Sequence, residues 1–139
     1  ILVALLSVGS AVVLSRTKRA AFELPDGAQV LVKEIKTTFS CAGLHSGYYA
    51  DVDNNCKIFH ICHPQTIADG TLKVEHWSFL CGNQTIFNQG GFTCAFPEEA
   101  VPCEIAPKFY DLNNNIGVEN APFQTDDDVA RVYEAIRSQ

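Results

Sequence analysis

The sequence predicts a small, disulfide-rich, all-β domain. All six cysteines of the 139-residue chain lie between residues 41 and 103, and an even number in one short segment is typical of a disulfide framework. The same segment contains short alternating runs of apolar and polar residues, separated by turn signals. A domain of this size is marginally stable without cross-links. The cysteines are Cys41, Cys56, Cys62, Cys81, Cys94 and Cys103.

The first strand of this segment is predicted over residues 57–63. There Ile58, His60 and Cys62 fall on one side of an extended chain, and Phe59 and Ile61 fall on the other. This alternation suits a half-buried strand.

Two turns follow along the chain. Asp69-Gly70 is a strong turn dipeptide, and residues 74–80 return as the next strand. Residues 85–87 and 92–94 predict a hairpin around residues 88–91, whose two glycines are available for a positive φ. We expect little or no helix before residue 103.

The cysteines could instead bind a metal, because His60 and His63 flank Cys62. Zinc sites usually contain closely spaced cysteine pairs, and the sequence contains no C-x-x-C. Disulfides are therefore the favoured interpretation, with no metal and no cofactor.

The N-terminal residues indicate a secreted, extracellular protein. Residues 1–14 are almost wholly apolar, and the chain contains no methionine, so we interpret them as the core of a partial signal peptide cleaved after Ser15 or Ser10. A membrane anchor is the alternative, but 14 residues fall short of the ~20 that span a bilayer. Residues 16–19 resemble a furin-type site, so that processing at Arg19 would give a mature chain starting at Ala20; ordinary basic flanking charges are the alternative.

The charge of the chain after residue 19 limits its partners. This part contains 16 acidic and 7 basic residues, a net charge of −9, which repels nucleic acid and anionic lipid but not a neutral polymer. We therefore expect no nucleic-acid partner and no membrane association of the mature form. Asn83 begins an N-glycosylation sequon, as suits a secreted surface loop.

Four regions are predicted: a leader over residues 1–19, an extended lead-in over 20–38, the domain over 39–105 and an acidic tail over 106–139. Residues 113–115 and 121–122 suggest a loose linker within the tail. Thr125 can then cap a short helix that starts with three aspartates and repeats apolar residues at helical spacing. A helix this short is marginal in water unless it docks on something. It is therefore either a docking or dimerisation element, through which a protein partner could bind, or a partly frayed tail.

The cysteine segment resembles the type 2 chitin-binding, or peritrophin-A, domain. The matching features are the six cysteine gaps and the segments GYYAD (47–51), CKIFHIC (56–62), FLC (79–81), FN (87–88), CAFP (94–97) and VPC (101–103). The flanks resemble arthropod secreted proteins with a single such domain, some of them centipede venom components. The resemblance implies the pairing Cys41–Cys62, Cys56–Cys103 and Cys81–Cys94. It also implies a three-stranded antiparallel sheet followed by a two-stranded hairpin.

The resemblance implies binding of chitin or N-acetylglucosamine oligomers. Each sugar ring offers an apolar face to a flat aromatic side chain, and amide groups beside it can bind the acetamido group. Phe96 lies where the family usually has tryptophan. The candidate aromatic side chains are Tyr48, Tyr49, Phe59, Trp77, Phe92 and Phe96, and the candidate polar ones are Asn88 and Gln89.

The sequence offers little support for an enzyme. Its closely spaced acids, Asp51 with Asp53 and Glu98 with Glu99, lie in turn-like contexts, whereas sugar hydrolysis needs two carboxyl groups opposed across a cleft. The competing hypothesis is a venom-type or signalling polypeptide that uses the same scaffold to bind a protein.

Overall fold

A computed structural model describes residues 21–25 and 27–139. It contains a three-stranded antiparallel sheet in the order β1-β2-β3, a two-stranded hairpin, β4-β5, and a C-terminal helix, which confirms the predicted fold class. The predicted signal peptide and the Arg19 processing site lie outside the described residues. The strands are β1 Gly47–Ala50, β2 Ile58–Thr66, β3 Leu72–Leu80, β4 Ile86–Asn88 and β5 Thr93–Ala95; the α-helices are α1 Ala28–Leu31 and α2 Asp126–Arg137.

The three disulfides join Cys41 to Cys62, Cys56 to Cys103 and Cys81 to Cys94, so the pairing implied by the resemblance is confirmed. The first joins the lead-in side of the domain to β2. The second joins the turn before β2 to the start of the tail, and the third joins the end of β3 to β5. The three links close loops of 21, 47 and 13 residues, and the longest of them, Cys56–Cys103, restricts the unfolded chain most.

The register of the sheet separates two faces. We call the face that carries Tyr48, Ile61 and Trp77 the front face, since these residues pair across the three strands. The opposite, back face carries Tyr49 and His60, and residues Phe22 and Phe39 cover it. The predicted alternation along β2 is confirmed, because Ile58, His60 and Cys62 are buried and their neighbours Phe59 and Ile61 are half-buried.

The turns differ from the prediction in one respect. Gly70 has a φ of +83° and closes the β2–β3 turn as expected. In the β4–β5 hairpin, however, the positive φ falls on Phe92 (+57°) and on neither glycine. The need for glycine at position 90 has another cause: a Cβ there would lie 2.5 Å from Cγ1 of Val132 in α2. Glycine therefore allows the helix to approach the hairpin closely.

The tail is more ordered than the predicted linker. Residues Cys103–Asn115 form consecutive 3₁₀ turns, and Asn113 is buried with its amide bonded to the backbone of Tyr48. The linker prediction for residues 113–115 is therefore wrong, because the buried amide joins this segment to β1. The lead-in also differs locally, since α1 interrupts it.

Helix α2 begins as predicted, with Thr125 and Asp128 forming a capping box. Its residues Val132 and Ile136 pack on a cluster of Val101, Phe109 and Leu112. Arg131 adds an ion pair with Asp111 (2.9 Å) and lies 4.8 Å from the centre of the Phe109 ring. The helix is therefore docked on its own domain, and the frayed-end alternative is not what the structure shows.

Candidate functional site

An open row of side chains crosses the front face of the sheet. Tyr48 on the edge strand β1 pairs with Ile61 on β2, and Ile61 pairs with Trp77 on β3. Paired residues of neighbouring strands point to the same face, and two strand spacings place the backbones of Tyr48 and Trp77 about 9–10 Å apart. Tyr48 is 36% exposed, and the other two are half-buried. The sheet thus presents a partly exposed apolar strip to solvent.

Phe92 extends this strip beyond β1. Its ring stacks on that of Tyr48, with centroids 5.3 Å apart and planes inclined by 27°. The backbone of Phe92 has a φ of +57°, which is uncommon for a bulky residue and costs of the order of 1 kcal/mol or more. Its amide donates to the carbonyl of Asn88 (2.9 Å), so the hairpin holds the residue in that conformation. We call Trp77, Ile61, Tyr48 and Phe92 the aromatic row.

The end of the front face that carries Phe59 and Phe79 is covered by the hairpin strand β4. Phe59 stacks on Phe87 of β4 with ring centroids 4.4 Å apart and on Phe79 with centroids 5.3 Å apart. Phe59 and Phe92 also pack on the buried cluster that contains Phe87 and two disulfide cysteines. Phe59 therefore contributes mainly to the core, and only the end of the face with the aromatic row remains open.

Tyr49 lies in the core on the back face. It is 1% exposed, its hydroxyl donates to the carbonyl of His45 (2.5 Å), and its ring meets the edge of Tyr110. Burial raises the pKa of the Tyr49 hydroxyl, which keeps it protonated. A ring this deeply buried cannot stack on a sugar, so Tyr49 is a core residue.

Asn88 and Gln89 stabilise the backbone around the row. The Asn88 Oδ1 accepts hydrogen bonds from the amides of Gly90 and Val101, both 3.0 Å. Gln89 is fully buried; its Oε1 accepts from the amide of Ala50 (2.7 Å) and its Nε2 donates to the carbonyl of Tyr48 (2.8 Å). These side chains position Tyr48 and the hairpin, because their oxygens and amide groups bond the backbone.

Phe96 is 48% exposed but is not part of the row. It follows β5, whereas Phe92 precedes that strand. The two are four positions apart along the chain, which is about 13 Å in an extended strand. A sugar chain that contacts both would therefore have to run along the hairpin and not across the sheet.

Sequence reasoning missed three side chains, one within the row and two beside it. Ile61 lies at its centre, and His63 and Glu75 form the next cross-strand pair on the same face. His63 also hydrogen-bonds the hydroxyl of Ser46 (3.1 Å). The alternation along β2 and β3 indicates which residues of each strand share a face. The register between the two strands is needed to show which of them are neighbours. They provide a polar edge to the apolar strip.

A buried polar network lies on the back face. The Nδ1 of His60 is 2.7 Å from Ser78 Oγ, and its Nε2 is 2.6 Å from Asp51 Oδ2. The residue types match a hydrolase triad, but all three side chains are buried, and the Ser78 hydroxyl also donates to the carbonyl of Ala21. Phe39 stacks on His60 with centroids 4.1 Å apart and closes the site. The network therefore satisfies buried polar groups and leaves no room for a substrate.

The candidate glycosylation site lies on the surface. Asn83 is exposed in the loop after β3, as a glycosylation acceptor requires.

Among the described residues, no cluster of three or more His, Cys, Asp or Glu side chains could hold a metal ion. Within the same residues, the helices are too short or too polar to cross a bilayer.

Part of the chain is similar to a known family and to two known proteins. Residues 41–103 match the family model described as chitin binding Peritrophin-A domain. U-scoloptoxin(01)-Cw1a of Cormocephalus westwoodi is 38% identical over 76 residues, 55% of this chain and 57% of the relative. U-scoloptoxin(01)-Er1a of Ethmostigmus rubripes is 33% identical over 78 residues, 56% of this chain and 59% of the relative. The matched part is thus less than two thirds of either relative, and no solved structure shows a significant match.

Proposed function

We propose that this protein, which contains a Peritrophin-A domain over residues 41–103, is secreted and binds chitin or N-acetylglucosamine oligomers without catalysing a reaction. The observation that carries the proposal is the aromatic row, an open apolar strip on a disulfide-linked sheet inside the matched segment. Flat side chains match the apolar faces of successive sugar rings.

The rigidity of the row favours binding. Gln89 and Asn113 hold the backbone of Tyr48 from two sides, and Asn88 holds the hairpin that carries Phe92. Little entropy is then lost when a sugar contacts the rings. His63 and Glu75 lie where they can bond the hydroxyl and acetamido groups at the edge of a bound sugar.

Retention on chitin beads tests this function. Folded protein should be retained on chitin and not on cellulose, which lacks the acetamido group. A Tyr48→Ala variant should be retained less, because the row loses its exposed central ring. Equal recovery of the wild type on the two polymers would reject the proposal.

A second candidate is a venom-type polypeptide that binds a protein. The similarity to two scoloptoxins favours it, and so does the outer side of α2, where Val129 and Tyr133 are exposed. The inner side of that helix is already used by Val132 and Ile136. Failure of chitin to bind, together with a partner whose binding is lost in Tyr133→Ala, would favour this candidate.

A further inference from the structure

The tail contributes an aromatic side chain next to the row. Phe123 lies in the segment that precedes α2, outside the segment matched by the family model. Its ring centroid is 5.2 Å from that of Phe92, and the two planes meet at 85°. Phe123 is 51% exposed, although burial of a phenylalanine ring lowers the free energy of the folded state. Phe92 and Phe123 therefore form a right-angled apolar corner at the end of the row.

This corner is held by hydrogen bonds on both sides of Phe123. The side-chain Nε2 of Gln124 donates to the carbonyl of Gly90 (2.7 Å), which ties the tail to the hairpin that carries Phe92. The side-chain Nδ2 of Asn115 donates to the carbonyl of Pro122 (3.0 Å). The capping box at Thr125 then fixes the start of α2. An exposed ring with its neighbours bonded on both sides is a preformed contact surface.

From this arrangement we propose that Phe123 is an additional sugar-contacting residue, which binds a unit of an N-acetylglucosamine chain next to the unit on Tyr48 and Phe92. The inference rests on the proposed chitin-binding function and adds a preference for longer oligomers. The occupant is a neutral sugar polymer because the corner continues the aromatic row and presents apolar rings. Docking of α2 is then part of the binding site, since it places Phe123 beside the hairpin.

Calorimetric titration with N-acetylglucosamine oligomers of two and of five units tests this inference. Phe123→Ala should weaken binding of the longer oligomer about three- to tenfold, as expected for one aromatic contact, and leave the dimer unchanged. Phe123→Trp keeps a flat ring at this position and should therefore bind the longer oligomer at least as well as the wild type. Val129→Ala is the matched control, because Val129 is equally exposed on α2 and outside the corner; it should bind both oligomers like the wild type.

The outcomes separate this inference from the function on which it rests. If Phe123→Ala binds both oligomers like the wild type while Tyr48→Ala weakens both, the role of Phe123 is refuted and chitin binding stands. An equal loss for both lengths also refutes the additional contact, because the dimer should not reach it. If the wild type binds neither oligomer, both proposals fail. Circular dichroism of each variant checks that α2 is still folded.

Discussion

Tyr48 and Phe92 stack with ring centroids 5.3 Å apart, although Tyr48 belongs to the sheet and Phe92 to the turn of the separate hairpin. Gln89, which directly follows β4, joins the hairpin to β1, because its side chain donates to the carbonyl of Tyr48 and accepts from the amide of Ala50, on either side of Tyr49. Two small sheets thereby share one apolar surface.

Replacing Tyr48 by alanine should lower the affinity for chitin oligomers about three- to tenfold, because one stacking contact is lost. Stability should change little, since backbone bonds to Asn113 and Gln89 hold this position. Val74→Ala is the control: Val74 is also exposed on the sheet but belongs to the other face. Calorimetric titration measures both variants. Similar losses in the two would contradict the assignment of the front face.

The structure also predicts that Gly90→Ala destabilises the docked helix. The new methyl group would lie 2.5 Å from Cγ1 of Val132, and a β-branched side chain has little freedom to move away. We expect a loss of about 1–3 kcal/mol in the free energy of unfolding, measured by urea denaturation, with faster amide exchange in α2.

A double variant separates this clash from other effects. Val132→Ala removes the methyl groups that the new Cβ would meet, so Gly90→Ala should cost less in that background. The same cost in both backgrounds would show that helix contact is not the reason for glycine at position 90.

Mild reduction should open the Cys81–Cys94 disulfide first. Cys94 is exposed on β5, whereas Cys41, Cys62 and Cys56 are buried, and thiol exchange requires access to a sulfur atom. Alkylation at increasing concentrations of reductant, followed by mass spectrometry, gives the order. Early labelling of Cys41 and Cys62 would contradict the burial of that bridge.

Tyr110 should make the fold sensitive to alkali. Burial, and then the charge of Asp51, raise the pKa of its hydroxyl to about 12, and this hydroxyl donates to the carbonyl of Ala50 (2.6 Å). Above pH 10 the unfolded chain loses this proton while the folded protein keeps it. The stability that Tyr110 contributes is therefore complete below pH 10 and is lost as the pH rises toward 12.

Tyr110→Phe tests this effect. The variant should be less stable than the wild type at pH 8 by about 0.5–1.5 kcal/mol, because one hydrogen bond is lost. Its stability should then fall less steeply between pH 10 and 12 in urea titrations. Parallel curves for the two proteins would show that Tyr110 does not titrate in this range. Tyr49, whose pKa is also raised, is present in both proteins.

Much of the fold could be predicted from the sequence. The alternation in β2 reports which residues share a face, and Thr125 followed by three aspartates marks the start of α2. The disulfide pairing came from the family resemblance, because six cysteines allow fifteen pairings and sequence alone does not choose among them.

The site was less predictable, because it depends on contacts between distant segments. Tyr48 and Tyr49 are adjacent, so one must face each side of the sheet, but the register and the lead-in decide which one is buried. Asn88 and Gln89 have the chemistry of ligand-binding residues, and only the structure shows that they bond the backbone. The contact of Phe123 with Phe92 requires the docked tail.

NMR during titration with a chitin oligomer maps the sugar-binding surface and so tests directly whether the aromatic row binds sugar. We predict that resonances of Tyr48, Ile61, Trp77 and Phe92 shift together, while those of buried Tyr49 and His60 on the back face move little. Shifts confined to Phe96 or to the outer side of α2, or no shifts at saturating oligomer, would contradict sugar binding by the aromatic row.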